Sequence, residues 1–364
     1  MNFSTGLYAE HPSWLRRLLA RPYQLAVRRR LNSFRNGRLS SQALPARVIS
    51  VGNLTVGGTG KTPAVIFLAK ELSARGVRTA VLSRGYGSRG TDSINLVSDG
   101  EQVFLKPRQA GDEAYLMAKS LPGVVVLSGR DRLDLGAFAV DQFKSEALIL
   151  DDGFQHLKIH RDVNLLLLDS ARPWGNGWLL PAGPLREPKT EAARATAFLI
   201  TRVGDPPLPL IQELERDFPG RPVFLSRHNP VRLSDLNGNG KKRPDFLAGR
   251  RIMAFCGLAR PHVFLDTLTG LGARVEEFIA WPDHFEARPK DLSFLESKAA
   301  EKGLDMAVTT AKDAVKLNPQ DLQQSGFRLD IQVLDVELEL VNAAADLAAF
   351  AFPPKRRPSL HEQA

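Results

Sequence analysis

A regular alternation of short apolar runs with helical stretches constrains this chain more than any other feature. The runs "ARVISVGN", "RTAVLSRG", "GVVVLSG", "EALILDD", "VNLLLLDS" and "AFLITR" are β-branched or Leu-rich and run out into Gly, Ser or Asp. Stretches with helical spacing, such as "TPAVIFLAKELSARG" and "GDEAYLMAKSL", lie between them. Strands that are hydrophobic throughout and separated by helices predict a parallel sheet covered on both faces. In such a sheet the polar residues at the strand C-termini gather along one edge, where ligands bind.

Pro, Gly and Asn then accumulate in "VGDPPLPL" and "RLSDLNGNGKKRPDFLAG", which predicts a linker between about residues 205 and 248. A second alternating set follows, from "RRIMAFCGLA" to "LDIQVLDVELEL". We therefore expect an N-terminal element over residues 1–40, a main α/β domain over 41–225, a smaller α/β domain over 226–352 and a disordered tail over 353–364.

The formal charge of the 364 residues is +9, and its distribution decides what it means. Residues 1–50 hold nine arginines against the single acid Glu10, so +8 of the excess sits there and +1 in all the rest. A nucleic-acid groove spreads its charge over the folded body and interleaves stacking aromatics, so no nucleic-acid partner is expected. Trp14, Leu15, Leu18 and Leu19 fall on one helical face with Arg16, Arg17 and Arg21 off it, Ser13 can cap the start, and Pro22 is expected to kink or divide the helix. Its apolar runs are too short and too charged to span a bilayer, and it suits the interface of an anionic membrane. The alternative is a helix packed on the body with a solvated arginine face. Cys256, the only cysteine, excludes an internal disulfide.

"VISVGNLTVGGTGKTP", residues 48–63, is read as a phosphate-binding loop. It departs from the usual spelling, with Thr55 where the first Gly is expected and Gly57 and Gly58 added inside the loop. Its context fits, since a strand precedes it and a helix follows. Gly57, Gly58 and Gly60, with Thr59, leave room for main-chain N–H groups to reach phosphate oxygens. Lys61 then neutralises phosphate charge and Thr62 is a ligand for Mg²⁺. The fold class expected is thus an α/β fold of the phosphate-loop NTPase type, with a second smaller α/β domain and an amphipathic N-terminal helix.

What is done with the nucleotide depends on the other strand ends. "ALILDDGFQH" puts Asp151 and Asp152 after a buried strand, where two adjacent acids call for a cation. "QAGDEAYLMAK" puts Asp112 and Glu113 in a first helical turn, where the helix dipole alone would also favour them. Ser83, Arg84 and Tyr86 face the same edge. "WGNGWLLPAGPLREP" carries Arg186 and Glu187, suited to clamping phosphate and contacting metal. In the second set, "WPDHFEA" exposes Asp283 and His284, and "TTAKDA" presents Lys312 and Asp313. His156 and His284 could each be ordinary structural histidines. Two rival functions remain from these residues alone: a GTPase or ATPase switch at a membrane surface, and a nucleic-acid binder using the arginine-rich arm.

Taken in order, "VGNLTVGGTGKTP", "LSRGYG", "GDE", "GRDR", "DDGFQH", "GNGWLLPAGPLREP", "AFCGLARP", "PDH" and "KDAVKL" resemble the tetraacyldisaccharide 4'-kinase family, from about residue 12 to residue 340. The Thr55 spelling is that family's own. The resemblance implies a lipid kinase of lipid A biosynthesis that uses ATP and Mg²⁺ and phosphorylates the 4'-hydroxyl of an acylated disaccharide 1-phosphate. It implies no obligate protein partner. It also implies a peripheral enzyme at the cytoplasmic face of the inner membrane of a Gram-negative bacterium. Carried over residue by residue, it makes Asp112 the catalytic base and His284 its partner. Lys61 and Thr62 serve the nucleotide and metal, Asp151, Asp152 and Glu187 are metal-site acids or their neighbours, and Arg186 is a phosphate clamp. The chain departs from the family pattern at Ala114, Phe285 and Ala311, and Phe285 leaves His284 without a neighbouring histidine.

Overall fold

The computed structural model describes residues 11–86, 92–318, 327–342 and 346–354, together with Ala9, Ser88 and Leu322. Most of the tail expected to be disordered lies outside the described residues.

The first alternating set forms β1 (Arg47–Gly52), β2 (Thr79–Ser83), β3 (Asn95–Ser98), β4 (Val125–Ser128), β5 (Ala147–Asp151), β6 (Val163–Asp169) and β7 (Ala197–Thr201). The second forms β8 (Val223–Ser234), β9 (Arg251–Cys256), β10 (Arg274–Ala280), β11 (Met306–Thr310) and β12 (Asp330–Leu340). All join one twelve-stranded sheet in the order β10-β9-β11-β12-β8-β7-β6-β1-β5-β2-β4-β3. The strands of the first set pair in parallel except β3, an antiparallel edge.

The long strand β8 joins the two sets. It runs parallel to β7 and antiparallel to β12, from Ser226 opposite Leu340 to Ser234 opposite Val333. After β12 the chain returns to the first set, where Leu338, Leu347, Ala348 and Ala351 pack into the same core as the helix that follows β1.

Alternation along the buried strands feeds two cores. Ile49, Val51 and Ile149 point to the face covered by α2 (Lys61–Ala74), through Ala64, Val65, Leu68 and Leu72, and by α3 (Asp112–Ser120), through Met117. Val48, Leu148 and Leu150 point to the face covered by α4 (Arg132–Phe143), through Leu135 and Ala139. Burying each such side chain contributes roughly 1.5–3 kcal/mol, so every strand is held from both sides. The other helices, α5 (Leu208–Asp217), α6 (Pro261–Gly270) and α7 (Pro289–Lys302), cover the rest of the sheet. Because β1, β2 and β5 are parallel, their C-termini at Gly52, Ser83 and Asp151 share one edge.

At the N-terminus α1 is one helix, Trp14–Arg35, started by Ser13, whose Oγ accepts from the Arg16 N–H. The division expected at Pro22 does not occur. The carbonyl that loses its intrahelical bond belongs to Leu18, which is exposed and can bond to water. The C-terminal half is anchored by buried Leu31 and by the Arg35–Glu191 ion pair at 2.6 Å.

Candidate active site

The phosphate loop leaves the end of β1 and closes onto α2. Gly57 and Gly60 have φ of +104° and +84°, a region in which an L side chain is strained. Gly60 caps α2 directly before Lys61, which aims the helix N-terminus at the loop interior. Thr55 pairs by a β-bridge with Leu185, so the backbone there is extended and has no need of glycine. This explains the unusual spelling and ties the loop that carries Arg186 to the phosphate loop. Thr201 Oγ1 donates to the Thr59 carbonyl at 2.9 Å and Arg202 to the Gly58 carbonyl at 2.6 Å, which fixes the loop from behind.

Lys61 Nζ donates to Asn53 Oδ1 at 3.3 Å and lies 3.5 Å from Asp152 Oδ1. Asp152 also accepts from Arg186 Nη1 at 2.7 Å. Burial alone would raise the Asp152 pKa, but Lys61 and Arg186 outweigh it and bring it down to about 2. Its neighbour behaves in the opposite way. Asp151 sits at the end of β5, and burial, followed by the charges of Glu113 and Asp152, pushes it up to about 7. Its Oδ2 accepts from Ser83 at 3.1 Å, while Oδ1 is buried without a hydrogen-bond partner among the described residues.

A second acid group meets the cleft through His284, which lines it. Asp112 opens α3, whose N-cap is Gly111, so its carboxylate caps nothing. His284 Nδ1 lies 3.6 Å from Asp112 Oδ2. His284 has φ of +61°, a conformation costly for a non-glycine residue, and its ring rests 5.1 Å from that of Tyr86. Beside it, Lys312 bridges Glu113 at 3.0 Å and Asp283 at 3.1 Å, joining the two strand sets. Burial lowers the Lys312 pKa, but the two carboxylates outweigh it and raise it.

Lys61, Thr62, Asp151, Asp152, Arg186, Glu187 and His284 therefore line one cleft of about 1820 Å³. Glu187 lines it differently from the others, because its buried carboxylate is taken by Arg194. Asp313 is drawn inward, accepting from the Gly257 N–H, Thr310 and Lys316. Phe285 stacks on Trp281 at 4.8 Å, away from the acids. His156 is half-buried beside Arg132, and desolvation followed by that charge pushes its pKa down to about 4.

Some groups escaped the reading of the sequence. Arg132, from "GRDR", is buried and donates to the Asp151 carbonyl at 3.3 Å. Asp169, at the end of β6, receives Arg202 at 2.5 Å and Arg260, from the second strand set, at 2.7 Å. "VNLLLLDS" ends in an acid as "EALILDD" does, and that was the available signal.

A glycine-lined cradle at a helix N-terminus, a lysine above it and acids on the facing wall define a phosphate-loop nucleotide-binding enzyme of the kinase type. The model of the family described as tetraacyldisaccharide-1-P 4'-kinase matches residues 12–350, and the chain belongs to that family. Among its relatives are a tetraacyldisaccharide 4'-kinase of Syntrophus aciditrophicus, 44% identical over 82% of this chain and 83% of the relative, and one of Pelobacter propionicus, 43% identical over 81% and 80%. A crystal structure of the "apo" form of LpxK from Aquifex aeolicus in complex with ATP superposes with a TM-score of 0.69 at 34% identity, covering 89% of this chain and 93% of that one.

Proposed function

We propose that this enzyme transfers the γ-phosphoryl group of ATP to the 4'-hydroxyl of a tetraacyldisaccharide 1-phosphate, giving lipid IVA in lipid A biosynthesis. The observation that carries this reading is the Asp112–His284 pair, 3.6 Å apart, whose histidine lines the cleft shared with the Lys61 loop, while Asp112 itself is not among the lining residues. The rival switch function has no use for such a pair, nor for a cleft of this size.

Lys61 and the loop N–H groups neutralise the nucleotide phosphates, and Arg186 holds Asp152 and the approaching phosphoryl oxygens in place. Mg²⁺ keeps water and phosphate ligands beside one or two carboxylates, so it needs no closed cage of protein ligands. Thr62 and Asp151 are the residues that would hold it, since the unpartnered Asp151 Oδ1 and its raised pKa mark a carboxylate without a compensating cation. Glu187 supports this wall through Arg194. Mg²⁺, when bound, neutralises charge that develops on the phosphates. Asp112 accepts the 4'-hydroxyl proton as the new O–P bond forms and the bond to the leaving ADP breaks. His284 orients that carboxylate and stabilises it once protonated.

The acceptor is a lipid, and α1 supplies an attachment surface. Trp14, Leu15, Leu18 and Leu19 are exposed on it, among its arginines. No helix among the described residues is long and apolar enough to cross a membrane. We place the enzyme peripherally, on the cytoplasmic face of the inner membrane of a Gram-negative bacterium. Incubation with labelled ATP and the acyl disaccharide, followed by thin-layer separation, should give a phosphorylated lipid with wild type and almost none with Asp112→Ala. Free phosphate without lipid product would favour the switch.

A further inference from the structure

One face of α1 looks inward. Tyr23, Val27 and Arg30, spaced four and three residues apart, all line the cleft. Tyr23 Oη donates to the Arg186 carbonyl at 2.9 Å, and Arg30 Nη2 donates to the Gln155 carbonyl at 2.7 Å. Both acceptors belong to the machinery around Asp152. Arg186 grips Asp152 directly, and Gln155 donates from Nε2 to the carbonyl of Asn53, the residue whose side chain receives Lys61. The same helix is stitched to the Arg186 loop at its other end, where Arg17 stacks over Trp178 at 5.2 Å, and Asn176 donates at 2.8 Å to the carbonyl of Ala9, which precedes the helix.

We infer that Tyr23 and Arg30 are positioning residues for phosphoryl transfer, so that α1 is a wall of the active site as well as a surface for lipid. Each holds the main chain of a loop that contacts Asp152 or Asn53. A loop loosened by a fraction of an ångström misaims the Arg186 guanidinium and the Lys61 ammonium, and phosphoryl transfer depends on such placement. The exposed face of the helix meets lipid while the inward face fixes the catalytic loops, and this coupling rests on the lipid-kinase reading above.

The full chain, with Tyr23→Phe and Arg30→Gln as single variants, tests this. Each variant should lower kcat roughly three- to ten-fold, the rate equivalent of one lost hydrogen bond, with KM for the acyl disaccharide and sedimentation with anionic vesicles within about twofold of wild type. Amide deuterium uptake should quicken around residue 186 in the first variant and around residue 155 in the second. In an Arg186→Ala background, where the main-chain carbonyl that Tyr23 holds remains but the guanidinium it aims is gone, Tyr23→Phe should cost nothing further. A kcat within about twofold of wild type, unchanged deuterium uptake, or a full additional loss in the Arg186→Ala background would each overturn the inference. Arg30→Gln, an exposed position, decides the matter if Tyr23→Phe does not fold. Wild type failing to phosphorylate the lipid would sink the functional reading alone, and deuterium uptake would still test the positioning.

Discussion

Asp152 lines the cleft and Asp112 reaches it through His284, and the two acids are held in different ways. Asp152 lies between Lys61 and Arg186, all within the first strand set, and is a carboxylate at any physiological pH. Asp112 meets His284, which arrives from the second set on a strained turn, at a distance longer than a good hydrogen bond. The first arrangement is fixed by one folded core. The second exists only because β8 and β12 join two sets of strands. On the function proposed above, a nucleotide grip held within one core, beside a proton acceptor completed across a junction, would limit transfer to water before the acceptor sugar arrives.

Removing the permanent grip should have the largest effect. Lys61→Ala is expected to lower kcat/KM by about 10³-fold, with nucleotide affinity falling too, as measured by steady-state kinetics and titration with a fluorescent ATP analogue. Asp112→Asn should lower kcat by about 10²-fold or more while leaving ATP affinity within about twofold of wild type. A parallel loss of affinity would mean that the two acids are not separable. His284→Ala should cost roughly ten-fold in kcat in wild type and little in an Asp112→Asn background, since it acts through that carboxylate.

The smallest effect separates two neighbouring carboxylates by sign. With its folded pKa near 7, above an unfolded value of about 3.9, Asp151 binds more protons folded than unfolded, so its contribution to stability is lost as pH rises from about 4 to about 7. The melting temperature of Asp151→Asn relative to wild type should therefore rise over that window by roughly 2–5 °C in the absence of nucleotide and divalent cation. Added Mg²⁺ should flatten the difference, because it favours the ionised form. Asp152, near 2, contributes stability above about pH 4 and loses it as pH falls towards 2, so Asp152→Asn should be destabilising at neutral pH. His156, held near 4, shifts both wild type and variant alike, and only the difference isolates the carboxylate.

Much of this was legible in the chain. Strand identity came from apolar runs buried on both faces, and the phosphate loop from glycines that leave its N–H groups uncrowded, two of which, Gly57 and Gly60, also have positive φ. Asp151 and Asp152 were found because acids after a buried strand are costly without a partner. The roles of Glu187 and Lys312 were not legible, since each depends on a side-chain pairing that spacing does not reveal, Glu187 with Arg194 across a turn and Lys312 with Glu113 and Asp283 across the strand junction. Pro22 misled because the expectation weighed its missing N–H without the contacts that hold the rest of α1 down.

The sequence by itself determined the strands, the helices, the phosphate loop and the family, all of which follow from local periodicity, glycine freedom and residue order. Only the tertiary structure decided that one sheet carries both strand sets, that His284 turns to Asp112, that Arg202 and Arg260 converge on Asp169, and that α1 bonds to the loops around Asp152. The physical reason is range. Backbone preferences act over a few residues, whereas charge pairs and main-chain hydrogen bonds between distant segments exist only where packing has already brought them within about 3 Å.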